Sequence, residues 1–547
     1  MRRWISVSLL LSVAACGGGG SSGDSNDAGT NPVDARMPAD ACVPSSDNDL
    51  PDSNGTDENC DGIDGDASQS IFVATDGSPS GTGTIDDPVS TISQGVLLAV
   101  LDSKSFVLVS KGTYHEQVEL AEGVSIYGGY DRARNWQRRR ADRATVTDPG
   151  PVLVAVDVAT TPTTVNVLRF EAEDAAMGES SIAARLVRSA AVILDDVELV
   201  AGKGGTGQSG TVPAQATMGN PGGAGGDAVI PNGTCVAGGG ATPTSGTPGF
   251  NTACSCAHGG LGGVAGAVVA PGSGGDGGDG DVPTAIDMCM SAGGTGGAGA
   301  PLPGTKGLAG DRGANGARGD AGYGGTQAGG FSAAGYAPAN GHEGTPGMPG
   351  AAGGGGGGGG GDKTSESTCR ATGGAGGGGA SGGCGGAGGP AGGGGGASIG
   401  LLIWIGKPTL IDVSIQTSDG GTGGDGAIGG SGGLGGLGGA GGAALLCPVN
   451  CRIEIGGNLF CTCIASTVSG PGGTGGKGGS GGPGGAGGGG GGGPSIGIVL
   501  GGGAGLSGDS NDPTIVLGDG GSGGAGGDPG NGGANGVVQE VYQLVGG

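Results

Sequence analysis

The chain has 547 residues, including 149 Gly and 29 Pro, with 3% aromatic side chains and a formal net charge of −26. So few large side chains exclude a conventional apolar core along the whole length. The acidic balance excludes nucleic acid as a partner, because no surplus of cations exists to neutralise phosphates, and it suits a self-repelling surface that attracts divalent cations.

The chain opens MRRWISVSLLLSVAAC. A basic start, a short apolar run and small residues make a secretory signal over 1–15, too short to span a bilayer. Val13-Ala14-Ala15-Cys16 resembles the bacterial lipoprotein lipobox. The resemblance implies cleavage before Cys16, lipidation of Cys16 and anchorage in a membrane. With Gly17 next rather than an aspartate, it implies an outer-membrane address.

Residues 17–70 hold twelve acidic residues and one arginine, Arg36, among Gly, Ser, Asn and Pro. Residues 16–70 therefore read as a solvated tether. Within it, Asp47, Asp49, Asp52, Asn54, Asp57, Asp61, Asp64 and Asp66 offer closely spaced hard oxygen donors, with glycines that let the backbone wrap an ion. Glu58 to Asp66 resembles the MopE-type metal-binding motif, which implies Ca²⁺ as cofactor. Ala67-Ser68 stand where that pattern has a second cysteine, so Cys42 is the expected partner of Cys60.

Residues 71–201 change character. SIFVATDGS, KSFVLVSKGTYHEQVEL, GVSIYGGYD, PVLVAVDVATT and TTVNVLRFEAE are short β-rich runs about twenty residues apart, a solenoid rhythm. TISQGVLLAVLDS, between the first two, has helical spacing and predicts a capping helix. The order resembles the start of right-handed parallel β-helix proteins of the pectin-lyase-like superfamily, which implies a fold rather than an activity. RARNWQRRRADR, residues 132–143, is the one basic cluster and reads as a solvated loop anchored by Trp136.

Three later stretches share one pattern, starting at Ser180, Ala397 and Pro494: Ser-Ile, an apolar run, a turn, a second apolar run, then glycine. They read as further coils of one all-β, right-handed parallel β-helix, at 180–201, 397–419 and 494–547. Ile182, Leu186, Ile193, Val197, Ile399, Leu402, Leu410, Ile415, Ile496, Ile515 and Leu517 are expected to point inward. The glycine-rich stretches 202–396 and 420–493 are then insertions leaving one face.

In GGTGGKGGSGGPGGAGG, residues 472–488, every third position is special. A three-residue-per-turn helix puts all those side chains on one edge and leaves two bare edges, so backbone can bond to backbone. The expectation is a polyglycine-II-like bundle, with a disordered brush as the alternative; Leu434, Leu437 and Lys477 decorate an edge. The texture resembles the glycine-rich arrays of PE-PGRS-type surface proteins. Residues 304–322 carry Gly at every third position seven times, a collagen-like stretch containing Arg318-Gly319-Asp320.

Cys235, Cys254, Cys256 and Cys289, then Cys369 and Cys384, then Cys447, Cys451, Cys461 and Cys463 sit at the edges of the glycine. In an exported chain they are disulfide candidates, with Zn²⁺ the alternative for the last four, which frame a hairpin around Gly456-Gly457. His115, His258 and His342 fall in no catalytic spacing. Asp195 and Asp196 are adjacent carboxylates, but neighbouring strand residues point to opposite faces, so they make a poor pair. Two readings follow. One is a non-catalytic, lipid-anchored surface protein meeting extracellular glycan or other surface proteins. The other is a carbohydrate-active enzyme on a β-helix face, marked by carboxylates stacked on successive coils beside an arginine.

Overall fold

In the computed structural model, residues 44–544 are described except 47–48, 53–54, 230–241, 254–257, 268–272, 281–292, 328, 362–370, 450–452, 456–457, 461–463 and 468. The signal segment and Cys16 lie outside them. The fold is β-rich. From Ser125 onward the chain alternates between two sheets whose long strands all pair in parallel. One sheet takes Ser125–Asp131, Thr163–Ala172, Val192–Ala201, Ser414–Gln416 and Thr514–Val516. The other takes Leu153–Val156, Ser181–Val187, Ser398–Trp404, Ser495–Gly501 and Val538–Gln543. The helix Ile92–Leu101 starts at Thr91, whose hydroxyl accepts the Gln94 amide, and buries Ile92, Val96 and Ala99 against the first strands.

Register ties the distant apolar stretches together. Ser181 is opposite Ser398, Ser398 opposite Ser495, and Ser495 opposite Val538. The main core runs between the sheets through Leu186, Val197, Leu410 and Ile415, with Ile515 packed against it. Four expected inward residues do not face it. Ile182, Ile399, Leu402 and Ile496 form a separate cluster on the outer side of their sheet, covered by Phe331, Tyr336 and Tyr542. Ala184, Leu401 and Ile498 take the inner positions instead. Both faces of Ser398–Trp404 and Ser495–Gly501 are buried, so these strands are apolar nearly throughout and alternation could not reveal the inner set. Ile193 and Leu517 are also displaced: Leu194 is in the core, while Ile193 and Leu517 are half-buried and outside it.

The turns of successive rungs stack as well. Asp157, Arg188, Ile405 and Gly502 follow register partners and all have positive φ, 62°, 51°, 62° and 63°. Val167, Asp196 and Asp412 form a second such column, at 53°, 52° and 48°.

Each glycine excursion departs after a strand of the first sheet and returns at the first residue of a strand of the second. The segments form a laterally hydrogen-bonded array with a three-residue repeat. Gly204, Gly207 and Gly210 donate to Asp419, Thr422 and Asp425, so those segments run parallel. Gly421, Gly424 and Ala427 donate to Gly396, Gly393 and Pro390, so that pair runs antiparallel. The contact from 204 to 228 spans about 75 Å at ~3.1 Å per residue.

Residues 374–376 show the packing rule. Gly374 donates to Gly470 and accepts from Gly359; Ala375 donates to Gly226 and accepts from Gly442; Gly376 donates to Gly263 and accepts from Gly246. Three residues thus bond to six surrounding segments. A Cβ on Gly354, Gly355 or Gly356 would lie under 3.0 Å from the carbonyl of Thr295, Leu261 or Gly473 respectively. Covered edges therefore demand glycine or a very small side chain. Residues 350–361, GAAGGGGGGGGG, and 371–384, ATGGAGGGGASGGC, are buried throughout. Residues 420–443 keep two glycines per triplet, except at Gly426-Ala427-Ile428, and expose the third residue. Residues 304–322, the collagen-like stretch, expose two residues per triplet. The glycine count per triplet follows how many of its positions would drive a Cβ into a neighbouring backbone. In segment 203–229 it rises after residue 221, where Gly223 and Gly226 bond to Thr247 and Thr244.

At exposed edges short polar side chains replace missing neighbours. Asp425 Oδ1 accepts the Ala525 amide at 2.8 Å, Asp227 Oδ1 the Ala443 amide at 2.7 Å, and Asn315 Oδ1 the Ser480 amide at 3.0 Å. The strands Ile453–Ile455 and Asn458–Phe460 pair antiparallel, with Ile453 opposite Phe460, while Gly456-Gly457 lie outside the described residues.

Candidate functional site

The acidic motif folds back on itself and docks on the sheets. Asp57 accepts the amides of Asp61 and Gly62, and Asp61 those of Ile63 and Ala67. Asp66 accepts from Ser68, and Asp52 from Gly55. Short carboxylates recruit nearby amides in this way wherever the chain turns sharply. Asp64 is 3% exposed, takes the Asp52 amide at 3.1 Å on Oδ1 and meets Arg138 at 3.3 Å on Oδ2. Burial pushes its carboxyl up to about 6, against the pull of Arg138. Asp49, 1% exposed, takes the Glu58 amide on Oδ2, while its Oδ1 has no hydrogen-bond partner among the described residues. Burial raises its pKa too. Among the described residues no three acidic, His or Cys side chains are placed to hold a metal. Asp47 and Asn54 lie outside the described residues.

Arg138 joins this motif to the sheets. It is buried, donates from Nε to the Gly128 carbonyl at 3.0 Å, and its other nitrogens reach the Asp52 carbonyl and Asn166 Oδ1. The guanidinium lies over the rings of Tyr127 and Tyr130, 5.7 and 5.6 Å from their centroids. Trp136 is buried as expected, its ring edge-on to Phe72 at 4.8 Å. The basic cluster is largely consumed by carboxylates: Arg132 pairs with Asp76, Arg134 with Asp131, and Arg140 and Arg143 with Asp196.

Beside Arg138 opens a cavity of about 400 Å³ lined by Arg139, Arg140, Asn166, Asp195, Asp196 and Asp412, among others. The expectation that Asp195 and Asp196 face apart is wrong. Asp196 has positive φ, which breaks the strand alternation and brings both carboxylates to one cavity. Asp412, one rung on, joins them through the same turn. Asp195 accepts from Asn166 at 2.9 Å and is held above the usual carboxylate range by burial. Asp196 meets Arg140 at 2.5 Å and Arg143 at 2.8 Å. Asp412 is exposed and accepts from Asn511 at 3.2 Å. Such a set can bind a cation or move a proton. The positive-φ column had no sequence signal, because it requires β-branched Val167 in a conformation that Asn or Gly favours.

Two further cavities, about 720 and 540 Å³, open where the glycine array meets the sheets. The first is lined by Gln208, Asn340 and Glu343, the second by Pro149, Tyr336 and Ile182, and they share Gly178. Cys60 and Cys384 each take part in a separate disulfide. Cys42, Cys235, Cys254, Cys256, Cys289, Cys369, Cys451, Cys461 and Cys463 lie outside the described residues, as does the side chain of Cys447. No described helix is long and apolar enough to cross a membrane. Compared with protein-family models, curated proteins and solved structures, the chain has no match.

Proposed function

We propose a non-catalytic, lipid-anchored protein of the outer-membrane surface, with a structural or adhesive role. On this reading the two sheets are faces of a right-handed parallel β-helix, and the excursions form a polyglycine-II-type bundle held away from the membrane by the acidic tether. The observation that supports it is the six-neighbour bonding of residues 374–376. An array built that way is stiff and offers side chains only on its outer edges, which suits spacing and contact rather than chemistry. Two measurements test it. Protease treatment of intact cells should remove the protein, and Cys16→Ser should release it from the membrane fraction. Retention of the Cys16→Ser variant in the membrane, or full protection from protease, rejects the reading.

Ca²⁺ at residues 47–66 belongs to the same proposal, supported by the buried Asp49 Oδ1, which has no hydrogen-bond partner among the described residues. Calorimetric titration should detect binding at ~10⁻⁴–10⁻³ M; no heat at ten times that concentration rejects it.

One observation favours the enzymatic reading: Asp195, Asp196 and Asp412 line one cavity beside Arg140. Asp196 is spent on two arginines, leaving Asp195 and Asp412 for chemistry. Turnover of an acidic polysaccharide that is abolished by Asp195→Asn would establish it; no turnover across such substrates removes it.

A further inference from the structure

Most described cations of this acidic chain are held by its own carboxylates. The glycine array departs from that rule. Lys306, Arg312 and Arg318 lie on segment 304–322 six residues apart, two turns of a three-residue helix, and therefore on one edge. That edge is free: residues 307, 310, 313, 316 and 319 bond to segment 469–494, residues 308, 311, 314, 317 and 320 bond to other neighbours, and no backbone hydrogen bond among the described residues engages 306, 309, 312, 315 or 318. Asn315 Oδ1 reaches the Ser480 amide at 3.0 Å, which sets the exposed edge of 469–494, carrying Lys477, beside the first.

All four side chains are exposed, and none pairs with a carboxylate among the described residues. Arg312 donates to Asn315 Oδ1 at 3.1 Å and Arg318 to the Asp528 carbonyl at 3.3 Å, both neutral acceptors. Asp311 and Asp320 occupy the adjoining edge, where Asp311 accepts from the Thr295 hydroxyl. Between the cations stand Ala309 and Asn315, small enough to leave the row unobstructed. The three cations of segment 304–322 recur every ~19 Å along a straight support, since six residues rise ~3.1 Å each.

We propose that this row, Lys306, Arg312, Arg318 and Lys477, docks a linear acidic polysaccharide along the array. A rigid, sparse line of cations fits an extended chain whose anionic groups are also spread out. Duplex nucleic acid carries a charge every ~1.7 Å and would demand far more cations than four against a net charge of −26. The inference rests on the surface-protein reading only for where the polysaccharide is met, since binding is measured on purified protein.

The test is binding of the full chain to polygalacturonate at low ionic strength. The wild type should bind, and weaken as salt rises. The variant K306Q/R312Q/R318Q/K477Q should lose ten-fold or more in affinity. K104Q/K407Q, which removes two cations elsewhere, should bind like the wild type. Hydrogen exchange over 307–325 checks that the array survives the four changes; single variants, each losing part of the affinity, serve if it does not. Equal binding by the quadruple variant, no binding by the wild type, or duplex DNA binding as tightly as polygalacturonate each overturns the proposal. Binding that persists while the protein proves inaccessible on intact cells would instead remove the surface reading alone.

Discussion

The Ala397 amide donates to the Ser180 hydroxyl at 2.9 Å, across 217 residues of sequence. This bond closes the root of the longest excursion, where the returning chain enters Ser398–Trp404, the strand paired with Ser181–Val187. Ser180→Ala leaves the Ala397 amide without its acceptor at a cost of about 1 kcal/mol. Faster exchange of the Ala397 amide, with the rest of the array unchanged, is the expected result.

Gly376→Ala should be far more damaging than its size suggests. A Cβ there would lie under 3.0 Å from both Gly356 and Gly263, on two different neighbours. Overpacking of this kind costs about 1–3 kcal/mol. Exchange protection should fall at least ten-fold in segments 258–267 and 350–361. Leu434→Ala, at an exposed edge, should change stability by no more than ~0.5 kcal/mol. Equal effects from the two would contradict the account of why the array is glycine.

Edge capping predicts a milder loss. Asp425→Ala removes the acceptor of the Ala525 amide, at a cost of about 1 kcal/mol, whereas Asp425→Asn keeps an acceptor in place. Thermal unfolding of the two variants beside the wild type distinguishes them; identical melting curves would remove the capping role.

Ile405 should be improvable. Its φ of 62° is unfavourable for a β-branched residue, its side chain is 43% exposed, and the next rung already has glycine at that position. Ile405→Asn should raise stability by about 1 kcal/mol. A lower melting temperature would show that the side chain contributes more than the backbone strain costs.

Docking of the acidic motif should strengthen as pH falls. The Asp64 carboxyl is raised from 3.8 to about 6 in the folded chain, so the native state holds its proton more tightly than the unfolded state does. The contribution is therefore fully present below about 4 and lost as pH rises through about 6. Two pKa units correspond to roughly 2–3 kcal/mol. Proteolysis within residues 55–66 should slow between pH 7 and pH 5 in the wild type and show a flatter profile in Asp64→Asn. A wild-type rate that rises over that interval, after correction for the protease's own pH profile, would refute the assignment.

Much of the architecture was legible because it is written in repeats. The Ser-Ile starts at 181, 398 and 495 are strand starts in register, and the triplet rhythm of 420–443 is an edge pattern, since a three-residue helix with two covered sides leaves one position free. Even the collagen-like stretch carries its meaning locally: one glycine per triplet marks the one position where a Cβ would strike a neighbouring backbone. What the sequence could not decide is which segment covers which. Backbone hydrogen bonds between glycine segments are chemically identical wherever they form, so nothing in residues 374–376 names Gly470, Gly226 or Gly263 as partners. The same limit hid the outer cluster of Ile182, Ile399 and Ile496, where apolar residues fill both faces of a strand. It also hid the joint cavity of Asp195 and Asp196, which depends on a single residue turning to positive φ. Composition set how many neighbours each segment needs; only the folded arrangement, where steric fit selects among equivalent hydrogen-bond partners, decided who those neighbours are.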